Sequence, residues 1–140
     1  MRITMIDLQC EDLMWFAVDP EGRIVALTSG GMGNVPEFVC ADREANDFLG
    51  EYFTNIHQEM TVEKLAVEYE ENALIKDAIR LSRKGVFCFD ANGDSYEKIS
   101  SPEVPLVFDM LPDNIKSVML SRIINCDVLT SNTIDVPHAY

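Results

Sequence analysis

The pattern of apolar and polar positions divides the chain into two hairpin-like stretches and three helical ones. Leu13-Met14-Trp15-Phe16-Ala17-Val18 is an apolar run that ends in Asp19, and Ile24-Val25-Ala26-Leu27-Thr28 follows four residues later. Pro20-Glu21-Gly22-Arg23 separates them. Pro presets φ for the second position of a type I turn, and Gly supplies the positive φ of the bulge after it. The pattern predicts a β-hairpin over 13–28. Met14, Phe16 and Val18 alternate with Leu13, Trp15 and Ala17, so both faces of its first strand are apolar. A strand of that kind is covered on both sides. A second hairpin is predicted over 86–99: Val86-Phe87-Cys88-Phe89-Asp90 runs into Ala91-Asn92-Gly93, and 94–99 return. Asn-Gly is the strongest short hairpin signal.

The helical stretches show the i, i+3, i+4 spacing of one buried face. Over 42–56 the stripe is Ala45, Phe48, Leu49, Tyr52, Phe53 and Ile56, with Asp42 as cap. Residues 61–83 contain no Gly or Pro, and their stripe changes phase. Val62, Leu65, Ala66, Tyr69 and Ala73 define one face, while Leu74, Ile75, Ala78, Leu81 and Ser82 point elsewhere, which predicts a break or bend near Glu70-Glu71-Asn72. Gly85, after basic Arg83 and Lys84, is placed to end the helix. A third helix is expected over 112–123, on Ile115, Val118, Met119 and Ile123, with Pro112 in its first turn. Pro102 and Pro105 make the segment before it an edge or a loop. A short strand is expected over 124–129 and a frayed polar tail over 130–140. Hairpins separated by helices, without regular βαβ alternation, predict an α+β fold with an antiparallel sheet, in one domain over 1–140.

Composition narrows the functions. The 140 residues include 24 Asp and Glu against 11 Lys and Arg, a formal charge of −13. A nucleic-acid binder needs a basic stripe to displace counterions, and here the one basic cluster is Arg80, Arg83 and Lys84. An anionic bilayer repels such a chain, and the longest apolar run is too short to span one. Any long-range steering acts on a cationic partner. The first ten residues hold one Arg and lack the apolar core of a signal peptide. The four cysteines, Cys10, Cys40, Cys88 and Cys126, form no C-x-x-C, and the reading is a reduced, cytoplasmic protein.

Few residues carry catalytic potential. His57 and His138 are the two histidines, and a nucleophilic site would rest on His57 with Ser29 or Cys40. No G-x-S-x-G elbow or comparable signature surrounds any of them. Asp90-Ala91-Asn92-Gly93-Asp94-Ser95 begins like a calcium loop, but Ser95, Glu97 and Ser101 stand where Gly, an apolar residue and Glu belong. A hairpin turn is the better reading. No metal or cofactor is assigned. Glu59, Glu63, Glu68, Glu70, Glu71 and Asp77 read as a solvated acidic face. The glycine-rich loop Ser29-Gly30-Gly31-Met32-Gly33-Asn34 is the candidate binding element. It lacks the Lys-Ser/Thr of a Walker loop and the G-x-G-x-x-G spacing. It reads as a tight connection, as a protein contact that presents Met32, or as a nest for a small anion.

Trp15-Phe16-Ala17-Val18-Asp19-Pro20-Glu21-Gly22, Thr28-Ser29-Gly30-Gly31 and Val35-Pro36-Glu37 resemble the opening of a group of small uncharacterised bacterial proteins. Leu81-Ser82-Arg83-Lys84-Gly85-Val86-Phe87 and Ser101-Pro102-Glu103-Val104-Pro105-Leu106 resemble that group as well. Some small acidic bacterial α+β proteins of this kind are thought to be immunity proteins of polymorphic toxin systems. The resemblance implies neutralisation of a toxin by direct binding; it carries no catalytic motif and implies no site residues beyond the glycine loop of residues 29–34. The leading expectation is therefore a non-catalytic, immunity-like interaction module for a basic partner. The alternative is a small-ligand binder or enzyme built on residues 29–34, with a pocket lined by aromatics such as Trp15 and Phe38. A third reading is an oligomeric structural protein.

Overall fold

The computed structural model describes residues 1–56, 58–66 and 72–140. In chain order its elements are α1 (Met5–Cys10), β1 (Met14–Val18), β2 (Ile24–Thr28), α2 (Glu37–Cys40), α3 (Arg43–Thr54), β3 (Glu63–Leu65), α4 (Ala73–Arg83), β4 (Phe87–Asn92), β5 (Ser95–Pro102), α5 (Asp113–Met119) and β6 (Thr133–Ile134). The fold is α+β: a six-stranded, mostly antiparallel sheet in the order β1-β2-β4-β5-β3, with β6 also on β5. Both predicted hairpins form. They join through β2 and β4, which run parallel from Val25↔Phe87 to Thr28↔Asp90.

The first hairpin closes as its turn residues require. Gly22 sits at φ +82, its N–H donates to the Asp19 carbonyl, and Asp19 N–H donates to Arg23 O. In the second hairpin Ala91 and Asn92 pair with Tyr96 and Ser95, so the two turn residues are Gly93 and Asp94 and not the expected Ala91-Asn92-Gly93. Gly93, at φ +63, takes the first central place, where a type II′ turn needs glycine. A bulge where β4 meets β5 inserts Ile99 between Lys98 and Ser100. It puts Lys98 over the rings of Phe87 and Phe89 on one face, while Ile99 and Ser100 pack toward α4 on the other.

The two-sided strands separate two cores. On one face Trp15, Ala17, Val25, Leu27, Phe87 and Tyr96 pack with Val39 and Cys40 of α2 and with Ile124, Val128, Ile134 and Val136 near the C-terminus. On the other, Phe16, Val18, Ile24 and Ala26 meet Leu49 and Phe53 of α3, Ile75, Ala78 and Leu81 of α4, and Ile115 and Met119 of α5. Asp42 caps α3 through Ala45 N–H. The expected stripe of α3 is only partly buried: Phe48 is exposed, and Asn46 is buried in its stead. Asn46 donates to the Met14 carbonyl on the outer edge of β1 and accepts from buried Arg122.

The helix expected over 61–83 is corrected. It begins only at Ala73, capped by Asn72, whose side chain accepts from Ile75 N–H. Glu63–Leu65 is instead a strand, paired with Ser100–Pro102 of β5, and Val62 and Leu65 are exposed. A distant strand edge that satisfies the backbone overrides local helical composition. Tyr69, Glu68, Glu70 and Glu71 lie outside the described residues. The Asn72 cap predicts that Asn72→Ala costs about 1 kcal/mol. The midpoint of a urea melt should fall accordingly, with the slope unchanged.

Three further expectations change. The helix over 112–123 ends at Met119, because residues 122–124 bond to the free edge of β1: Val18 N–H donates to Arg122 O, and Ile124 N–H to Val18 O. Ile123 is thereby exposed. No strand follows over 124–129, since the Asp127 carboxylate accepts from the Leu129 and Thr130 amides and bends the chain. The tail is not frayed. Ile134 and Val136 alternate into the Trp15 core, β6 pairs with Tyr96 and Glu97, Ala139 N–H donates to Val35 O, and Tyr140 OH donates to Ile3 O.

Candidate functional site

The glycine-rich loop leaves β2 at the end of the first hairpin opposite its turn. Ser29 is fully buried. Its N–H donates to Leu13 O, and its Oγ accepts from Leu13 N–H at 3.1 Å. The amides of Met32 and Gly33 both donate to Ser29 O, at 3.1 and 2.8 Å. Gly30 N–H donates to Asp12 Oδ1 at 2.9 Å. Four amides of the loop are therefore bonded within the chain, one of them to the chain's own carboxylate. Asn34 ties the loop to the second hairpin: its carbonyl accepts from Tyr96 OH at 2.7 Å, and Nδ2 donates to Asp94 O at 3.2 Å. Gly33 is pressed so closely that a Cβ there would lie 2.7 Å from both Ala91 Cβ and Tyr96 Oη. The loop acts as a clamp between the hairpins, and what it presents outward is the Met32 side chain, 67% exposed.

Beside it runs a groove of about 160 Å³, lined by Met5, Leu8, Met32, His138 and Tyr140 among others. The two aromatics expected to line it, Trp15 and Phe38, do not. Trp15 is fully buried, edge-on to Tyr96 and Phe38, with Nε1–H donating to Tyr96 Oη, and neither Trp15 nor Phe38 reaches the groove. Strand alternation turns Trp15 inward, onto the face covered by the C-terminal segment.

Both nucleophile candidates, Ser29 and Cys40, are buried. Cys40 is buried, its thiol pushed up by burial, and Sγ faces the Val35 carbonyl. Cys88 is pushed up to about 12 by complete burial and lies in a polar cluster with Ser82 and Ser100, whose hydroxyls are 2.7 Å apart. His57 lies outside the described residues, and with it any approach to Cys40 or Ser29. His138 is exposed, with Nδ1 at the Tyr140 carbonyl. Asp90, half-buried, accepts from Thr28 Oγ1 at 2.7 Å, and burial holds its carboxyl above the usual range. No group of three His, Cys, Asp or Glu among the described residues could hold a metal ion. No described helix is long and apolar enough to cross a membrane.

Burial also raises the Tyr96 phenol to about 12. Tyr96 and Cys88 both keep their protons in the folded state at pH values where the unfolded chain, near 10 for Tyr and 9 for Cys, releases them. Their contribution is complete below those values and is lost as pH rises through them toward about 12. The urea midpoint should fall steadily over that window, and Tyr96→Phe should flatten part of the decline.

The charges divide unequally. Arg2 pairs with Glu37, Arg23 with Asp19 and Asp127, Arg43 with Asp7 and Glu11, Arg80 with Asp77, and Arg83 with Glu63 and Glu59. The remaining arginine, Arg122, is 1% exposed. Glu21, Asp47, Glu51, Asp109 and Asp113, by contrast, are exposed and pair with no cation among the described residues.

A larger cleft, about 440 Å³, opens at the other end of the first hairpin. Val18, Asp19 and Met119 are its buried lining residues, and Phe108, Leu120 and Ile123 stand around it, with exposed Glu21 and Asp109 also in its lining. Its wall is held by backbone bonds: Phe108 N–H donates to Gly22 O at 2.7 Å, and Ile24 N–H to Leu106 O. The buried Asp19 carboxylate accepts from the Glu21 and Arg23 amides and from Val128 N–H, fixing the turn that forms the lip. Nothing in the linear pattern marked this cleft, since four separate segments build it. The nearest signal was the exposed side of the stripe over 112–123. No family model, curated protein or solved structure matches the chain.

Proposed function

We propose that the protein is a non-catalytic binding module for a basic protein, of the immunity type that the sequence resemblance implies. The observation that supports this reading is the imbalance of exposed charge. The arginines are neutralised by carboxylates or buried, while a surplus of carboxylates stands unpaired in solvent. A field of one sign raises the encounter rate with an oppositely charged partner, and apolar contact then slows release. The buried state of Ser29, Cys40 and Cys88 agrees with binding rather than bond-making.

The test is capture of the partner from the native cells by the immobilised protein. The captured protein is then purified and the two components mixed by stopped flow at rising salt. The expected partner carries net positive charge, and the association rate constant falls at least about tenfold between ~20 mM and ~300 mM salt. An acidic partner, or a rate indifferent to salt, overturns the reading.

A further inference from the structure

Resting on that reading, we propose that the cleft beside α5 is where the basic partner docks, and that its occupant is a segment with one large apolar side chain flanked by Lys or Arg. Three observations converge there. Leu120 and Ile123 are 64% and 58% exposed although they flank a concavity of about 440 Å³, which is the size of a ligand pocket rather than a packing defect. Glu21 and Asp109, both in the lining, are exposed carboxylates without a cation among the described residues. The wall is already fixed in the free protein through the Gly22–Phe108 bond and the Asp19 turn, so little ordering cost falls on binding.

An apolar centre beside unpaired acids is complementary to an apolar anchor between basic residues, and not to an acidic or wholly polar segment. Two cations lie close by: Arg23, already paired with Asp19 of the lining and with Asp127, and Lys116, whose Nζ lies 5.8 Å from the centre of the Phe108 ring. The groove at the glycine loop is smaller, about 160 Å³, and its lining includes no Asp or Glu. It does not offer the same complementarity.

The probe is the end-capped peptide Lys-Lys-Leu-Phe-Lys-Lys, titrated into the ¹⁵N-labelled full chain. Its controls carry Glu in place of Lys, or Ser-Ser in place of Leu-Phe. The expected result is that amide shifts concentrate at Glu21, Gly22, Phe108, Asp109, Leu120 and Ile123, and that both controls bind at least tenfold more weakly. The double variant Leu120→Ala/Ile123→Ala should lose at least tenfold in affinity. Its urea midpoint should stay in place, because both side chains are exposed.

Unchanged peptide affinity in that variant, or shifts centred on Met32, overturns the cleft as the docking site while leaving the basic-partner reading intact. Absence of peptide binding also overturns the cleft, and the salt dependence of the captured partner then judges the function separately. A dimer in sedimentation whose dilution shifts map to Leu120 and Ile123 shows that a second copy covers the cleft, and likewise overturns the proposal.

Discussion

Gly85→Ala is expected to destabilise the protein by roughly 3 kcal/mol or more. Gly85 follows α4 at φ +98. Its N–H donates to Ser82 O, and Val86 N–H to Leu81 O, the paired bonds of a Schellman ending. A side chain in that conformation costs about 1–2 kcal/mol by itself. The new Cβ would also lie 2.5 Å from Leu106 N and 2.7 Å from Leu106 Cβ. Leu106 cannot easily yield, because its own N–H donates to Gly85 O and its carbonyl accepts from Ile24. Overpacking of this kind adds about 1–3 kcal/mol. Circular dichroism through a urea titration measures the loss. Gly30→Ala is the control, with positive φ but open space at its Cβ, and should show only the first part of the cost.

Trp15→Ala is expected to cost about 3–5 kcal/mol, the usual range for removing a fully buried large aromatic. Trp15 is 0% exposed and packs edge-on against Tyr96 and Phe38 at the centre of one core. The void would open beneath the clamp made by Asn34 and Tyr96, so loosening should spread to the glycine loop. Amide exchange should therefore accelerate at Met32 and Gly33 more than at Ile75 and Leu81, which belong to the opposite core. Trp15→Phe keeps most of the apolar volume and loses the Nε1–H bond to Tyr96, so its cost should be well under half as large. Equal losses for the two variants would contradict the packing account.

Features written in short-range chemistry were readable from the chain alone. Pro20 with Gly22 and the glycine after Asn92 announced the hairpins, Asp42 announced α3, and Gly85 ended α4. The capping box of α1, Thr4 with Asp7, was equally local, yet no apolar stripe drew attention to it. Glu63–Leu65 misled because helix-favouring residues there answer to strand β5, more than thirty positions away. The inward pair Ile134 and Val136 carried the alternation of a strand within a polar tail, too briefly to stand out. The glycine loop was visible, but its consequence was not. Whether its amides face a ligand or the chain depends on Asp12 and on the Ser29 carbonyl, which only the folded molecule brings to them. The cleft was the least legible feature, being assembled from residues 18–22, residues 107–109, the end of α5 and Ile123.

The parallel seam between β2 and β4 governs how the molecule reaches its native state. Each hairpin closes over a few residues and forms within about 1–10 μs. The seam joins positions as much as 62 residues apart, such as Thr28 and Asp90. Its formation confines the whole intervening segment before any seam contact repays that entropy. Folding should thus proceed as the meeting of two early hairpins, with the slow step at Val25–Thr28 against Phe87–Asp90. Destabilising substitutions at either hairpin tip, whose contacts are in place before the slow step, should slow refolding with little effect on unfolding, whereas those at the seam should change both rates.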